Sequence, residues 1–186
     1  KGENMYIFSG SLNSDEKIKK LIEVKEIPDE NLYDAVDDDE LNRLYDKLEE
    51  EYMERKENDL PVEYPLILLD DLSFTGGFHG KKFNALVRFA QNSRKLGISV
   101  LVTTQYYSQI LPSIRANISF AILYQCSQRN LEQIVDEHNF YKKRNMFIDM
   151  FRTNVKDKRH FLVVNYDNPI ENLYLDKNFE PIHHDC

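Results

Sequence analysis

Apolar residues along this chain fall into short unbroken runs, separated by stretches where they recur every three or four positions, the pattern of buried strands alternating with amphipathic helices. The run NMYIFS, from Asn4 to Ser9, is rich in strand-forming residues and ends at Gly10, which predicts a strand. Ser14 is then expected to cap a helix that begins DEKIKKLIE, with Asp15 and Glu16 suiting the positive end of its dipole. Between Asp29 and Asn58 acidic residues dominate, yet Leu41, Leu44, Tyr45, Leu48 and Tyr52 keep helical spacing. An acidic helical insertion over 29–58, with one apolar face, is the expected element.

After Pro65 the run LILLDDL is almost wholly apolar, as a parallel strand buried on both faces requires. The Gly-containing segment TGGFHG leads into KKFNALVRFAQNSRKLG, where Phe83, Leu86, Val87 and Ala90 share a stripe ended by Gly97. Next come the strand ISVLVTTQ, a short helical connection around Pro112, the strand NISFAILYQ and the helix SQRNLEQIVDEH, with Ser127 near its cap. A helix over Tyr141 to Arg152 and the strand HFLVVNY close the chain. Strand and helix alternate throughout, which predicts an α/β fold with a mostly parallel sheet and helices on both faces.

The 186 residues suffice for one domain with a full core, and no division is expected from length. With 41% apolar and 30% charged residues, the composition is that of a globular chain. No apolar run approaches the roughly 20 residues that span a bilayer, so no membrane contact is expected. Cys126 and Cys186 form neither a disulfide framework nor a metal-binding spacing, which fits a reducing compartment. A net charge of −8 excludes a chain that coats nucleic acid with a broad basic face; any nucleic-acid contact must be local.

Candidate chemistry concentrates at strand ends. Asp70 and Asp71 follow the buried run LILL, at the edge where ligands of open α/β sheets bind, and paired carboxylates there can hold a hydrated Mg²⁺ and orient water. Gln105 ends the next apolar strand, and its amide can both donate and accept hydrogen bonds beside them. Either feature by itself also fits a solvated turn or a helix cap.

Their order and spacing over residues 64 to 140 resemble the FtsK/HerA superfamily of P-loop ATPases. The matched pattern is an acidic strand end, then Ala90, Gln91, Arg94 and Gly97, then a strand ending Thr104–Gln105, then Arg115–Ala116–Asn117, and a strand ending at Ser127 before a polar helix. The continuation TTQYY and the LPSIRAN segment resemble the genome-packaging ATPases of large double-stranded DNA viruses. This resemblance implies a RecA-like P-loop NTPase core acting as an ATP-driven motor that moves double-stranded DNA into a capsid. A cellular FtsK/HerA-type translocase and a nucleotide-inactive structural subunit remain alternatives.

The family's GxxxxGK[ST] loop, whose backbone cradles phosphates, is not found in these residues, and Gly76 to Lys82 has neither its spacing nor its hydroxyl. The loop is expected before Lys1, so the core is read as a single domain over 1–186 without its phosphate-loop portion, inactive by itself. The resemblance assigns Asp70 to Mg²⁺ through water, Asp71 to water activation, Gln105 to sensing and Thr104 to supporting the nucleotide edge. Arg94 and Arg115 are candidates for the arginine that ring ATPases supply from a neighbouring subunit. Lys81, Lys82, Lys142, Lys143 and Arg144 are candidate DNA contacts, although for the last three a solvated helix end is the favoured reading. ATP and Mg²⁺ are the implied cofactors; double-stranded DNA, a homo-oligomeric ring of five or six subunits and viral capsid proteins are the implied partners. The expected location is the host-cell cytoplasm or viral factory, or the virion.

Overall fold

The computed structural model describes residues 1–71 and 84–182, and its contacts divide the chain into two compact units, Lys1–Asn117 and Ile118–Cys186. In the first unit β1 (Met5–Ser9), β2 (Leu32–Tyr33), β3 (Leu66–Asp70) and β4 (Ser99–Val102) form a sheet in the order β2-β1-β3-β4. Every pairing in it is parallel, as the unbroken apolar runs predict. Successive strand residues point to opposite faces. Ile7 and Leu68 accordingly join Ile18 of α1 (Glu16–Lys25) on one face. Tyr6, Phe8, Ile67 and Leu69 take the other, under α2 (Asp38–Glu57), α3 (Asn84–Asn92) and α4 (Pro112–Arg115).

The acidic segment is integral to this core. Leu41, Leu44, Tyr45 and Leu48 of α2 are all buried, each removal from water stabilising by about 1.5–3 kcal/mol. The segment also contributes β2, two residues that no sequence pattern announced. Arg88 of α3 lies 3.7 Å over the Tyr45 ring and pairs with Asp46 at 2.6 Å and Glu49 at 3.1 Å, joining α2 to α3. Helix α1 is capped by Asp15, not by Ser14 as expected. Its carboxylate accepts from the Lys17 and Ile18 amides at 2.7 and 3.2 Å, and a charged acceptor is favoured at the positive helix end. Among the described residues the outer edge of β4 has no strand partner, and Leu101, level with Leu68 on the α1 face, is 49% exposed.

The second unit departs from the expected continuation of a parallel pattern. Here β5 (Phe120–Tyr124), β6 (Phe161–Asn165) and β7 (Tyr174–Leu175) pair antiparallel in that order. Residues 166–173 between β6 and β7 are too few for the crossover of about a dozen residues that a parallel pairing needs. Helices α5 (Gln128–His138) and α6 (Arg144–Asn154) bury Leu131, Ile134, Val135, Phe147, Met150 and Phe151. The Tyr174 hydroxyl donates to the His138 carbonyl and accepts from the Phe140 amide at 2.9 Å, so its burial leaves it satisfied.

Candidate functional site

Because β1, β3 and β4 run parallel, their C-terminal ends meet at one edge, and their registers set Ser9 opposite Asp70 and Val102 opposite Leu69. Thr103 extends the ladder by donating its amide to the Leu69 carbonyl at 2.9 Å. Asp70 is thereby bracketed by two hydroxyls. Ser9 donates to Oδ2 at 3.0 Å and Thr103 to Oδ1 at 2.8 Å. Ser9 is itself fully buried, and its oxygen accepts from the Ser11 amide at 3.1 Å.

Asp71 follows in a left-handed conformation, φ 47°, and its amide donates to Thr103 Oγ1 at 2.9 Å. Its carboxylate Oδ2 accepts from Gln105 Nε2 at 3.1 Å. The neighbouring strands anticipated from the two apolar runs therefore do bring Gln105 to the acidic pair. Thr104 does not touch the acids through a described bond; its hydroxyl donates to Gln109 Oε1 at 2.8 Å and accepts from the Tyr106 amide at 3.3 Å, shaping the segment that follows Gln105. Among the described residues no group of three or more His, Cys, Asp or Glu converges as a metal cage. Asp70 and Asp71 carry the hard oxygen donors that Mg²⁺ takes alongside waters and phosphate oxygens.

The two arginines occupy different places. Arg94 lies in the turn Ser93–Leu96, which Gly97 ends at φ 69° just before β4, so the whole of β4 lies between it and Gln105 along the chain. The guanidinium of Arg115 donates to the Ile110 carbonyl and lies 5.2 Å from the Tyr107 ring centre, so it engages the same segment that Thr104 shapes. Lys142 and Lys143 are exposed at the start of α6, whereas Arg144 pairs with Asp136 and donates to the Glu132 carbonyl at 3.2 Å, joining α6 to α5. His79, Lys81 and Lys82 with the Gly76–Lys82 loop, and His183, His184 and Cys186, lie outside the described residues. Ser9 and Thr103 were not singled out from sequence. Their one signal is a short hydroxyl at the end of an apolar run, which many solvated strand ends share.

A family model for the poxvirus A32 protein matches residues 30–172, most of the chain and all of the acidic edge except Ser9. The chain belongs to the poxvirus A32 protein family. No curated protein matches this A32-family chain by sequence. Solved structures share its fold. The genome packaging NTPase B204 of Sulfolobus turreted icosahedral virus 2, in complex with AMP, superposes with a TM-score of 0.58 at 16% identity, covering 88% of this chain and 78% of B204. The DNA-packaging ATPase B204 of Sulfolobus Turreted Icosahedral Virus gives 0.56 at 15% identity, covering 96% and 82%. EssC (ATPases 2 and 3) from Geobacillus thermodenitrificans also gives 0.56 at 15% identity, covering 93% of the A32-family chain but 32% of EssC. The parallel sheet with helices on both faces is thus the α/β fold of P-loop NTPases. No helix among the described residues is long and apolar enough to cross a membrane.

Proposed function

We propose that this chain is the larger part of an ATP-driven motor that translocates double-stranded DNA into a viral capsid. The observation that carries this reading is the meeting of Asp70, Asp71 and Gln105 at the C-terminal edge of a parallel sheet, inside a chain of the A32 family. The names of its structural neighbours support it: B204 is a genome packaging NTPase, solved with AMP, AMPPCP and ATP-gammaS.

In this reading Asp70, held from both sides, associates with Mg²⁺ through water, and Asp71 and Gln105 orient the water that attacks the terminal phosphate. Bound Mg²⁺ supplies charge that neutralises phosphate oxygens. On this reading the GxxxxGK[ST] loop comes from a further strand and helix packed beside β4. The half-exposed Leu101 supports that placement, because parallel sheets are ordinarily covered on both faces. Thr104 keeps Gln105 in place by shaping the following segment. Arg94 serves a neighbouring subunit in a five- or six-membered ring, since it stands at the far end of β4 from its own Gln105. Lys81, Lys82, Lys142 and Lys143 contact DNA, repeated around the ring so that an acidic subunit still grips a backbone. The motor works against capsid proteins in the host cytoplasm or viral factory.

The test is to express the protein with the residues encoded upstream and measure Mg²⁺-dependent ATP hydrolysis with and without double-stranded DNA. DNA-stimulated turnover is expected. A folded protein that neither binds nor hydrolyses ATP overturns the motor and leaves a structural subunit as the reading.

A further inference from the structure

Thr103 is the residue that touches both members of the acidic pair. Its hydroxyl donates to Asp70 Oδ1 at 2.8 Å and accepts from the Asp71 amide at 2.9 Å. A hydroxyl has one proton and two lone pairs, so the two bonds coexist, the proton directed to one acid and an oxygen lone pair to the backbone of the next. The Thr103 amide, bonded to the Leu69 carbonyl, ties this bridge to the β3–β4 ladder. Its branched Cβ narrows χ1, so the hydroxyl is held before either acid arrives.

The bridge matters because the chain does something unusual there. Asp71 adopts φ 47°, a region that costs a non-glycine residue on the order of 1–3 kcal/mol and persists only where its surroundings fix it. Contacts that hold it there include the amide bond to Thr103 and the carboxylate bond from Gln105 at 3.1 Å. Meanwhile Ser9, from the opposite neighbouring strand, holds the other oxygen of Asp70 at 3.0 Å. One hydroxyl on β4's extension therefore contacts both the first carboxylate and the backbone turn that presents the second.

We infer that Thr103 is a positioning residue for both acids, coupling the Asp70 carboxylate to the left-handed turn at Asp71. Its catalytic consequence rests on the ATPase reading above; its structural consequence does not. The variants are Thr103→Val, which keeps the shape and removes donor and acceptor together, and Thr103→Ser, which keeps the hydroxyl. In the present chain, hydrogen exchange of the Asp71 amide is expected to quicken at least about tenfold in Thr103→Val and to stay within about threefold in Thr103→Ser. In the protein carrying the upstream loop, kcat of Thr103→Val should fall about 10–100-fold with KM for ATP nearly unchanged, and Thr103→Ser should restore most of it.

The inference is overturned if Thr103→Val matches wild type in both exchange and kcat, or if Thr103→Ser falls as far as Thr103→Val. Should Thr103→Val fail to fold, Thr103→Ala is judged by the same criteria. A wild-type protein without ATP turnover would defeat the ATPase reading alone, and the exchange measurement would still decide whether Thr103 holds Asp71.

Discussion

The side-chain amide of Gln105 donates to Asp71 Oδ2 across 3.1 Å, joining the residue just past β3 to one three positions past β4. An amide and a carboxylate held this way present a donor, acceptors and a negative charge at a single strand edge, the set that water activation beside a phosphate requires.

Replacing Asp71 with Asn removes the charge with almost no change of shape. In a protein that carries the phosphate loop, ATP hydrolysis should fall by roughly 10²–10⁴-fold while nucleotide affinity stays within about threefold. Steady-state hydrolysis and equilibrium nucleotide binding check this, and near-normal turnover would remove Asp71 from the mechanism.

Gln105→Ala takes away the partner of Asp71 but not the acid. Turnover should drop by about tenfold to a hundredfold, less than in Asp71→Asn, because the acid remains but is less well oriented. A double variant no worse than Asp71→Asn is expected, since both side chains act on one step; additive losses would separate their roles.

Arg94 and Arg115 give opposite expectations in mixed rings. Arg115 engages the Ile110 carbonyl and the Tyr107 ring of its own chain, so Arg115→Ala subunits mixed with Asp71→Asn subunits should recover no turnover. Arg94, beyond the far end of β4, should give recovery, because a hybrid interface would pair an intact Asp71 site with an intact Arg94. Recovery with Arg115, or none with Arg94 in demonstrated mixed rings, reverses the assignment.

Leu48 of α2 packs at 3% exposure in the cluster beneath β1 and β3, so Leu48→Ala should destabilise the first unit by about 2–5 kcal/mol. Chemical denaturation measures it. A loss near zero would mean that the acidic segment is not part of the core.

In the second unit, burial pushes the Tyr166 phenol up to about 12, with Glu137 adding to the rise, and burial raises Tyr174 as well. In the unfolded chain such groups titrate near 10. Between pH 10 and 12 the unfolded chain therefore binds fewer protons than the folded one, and stability falls as pH rises, while below pH 10 these groups add no slope. Tyr166→Phe should flatten part of that fall; denaturation at pH 8, 10 and 11 tests it, and identical slopes in the two proteins would refute it. Tyr6, Tyr33 and Tyr45 are raised in the same direction, so the comparison is the difference between variant and wild type.

Much of the first unit was legible because parallel strands leave unbroken apolar runs, and LILL and SVLV did so beside polar residues that sequence could name as a site, although β4, expected to be buried, is half exposed. What escaped has physical reasons. Ser9 and Thr103 act through single hydroxyls whose meaning depends on register, which a lone strand does not encode. The two-residue β2 is too short for any periodicity. Alternation of strand and helix was taken as parallel, yet β5 and β6 pair antiparallel with two helices, α5 and α6, between them, so the link is not a single-helix crossover. Ser14 lost the cap to Asp15 because the sequence offered two adjacent acceptors and the charged one is stronger.

The left-handed backbone at position 71 also favours one acid over the other. Asp and Asn are enriched several-fold in that conformation, because a short polar side chain can bond locally, whereas Glu has no such advantage. An Asp71→Glu change would extend the carboxylate by one methylene and weaken the fit of the turn that carries it, so the reach of the acid and the shape of the chain cannot drift independently. Because the Thr103 bridge is made to the Asp70 side chain and the backbone amide of residue 71, it survives that change, and the cost of a longer acid falls on the turn itself.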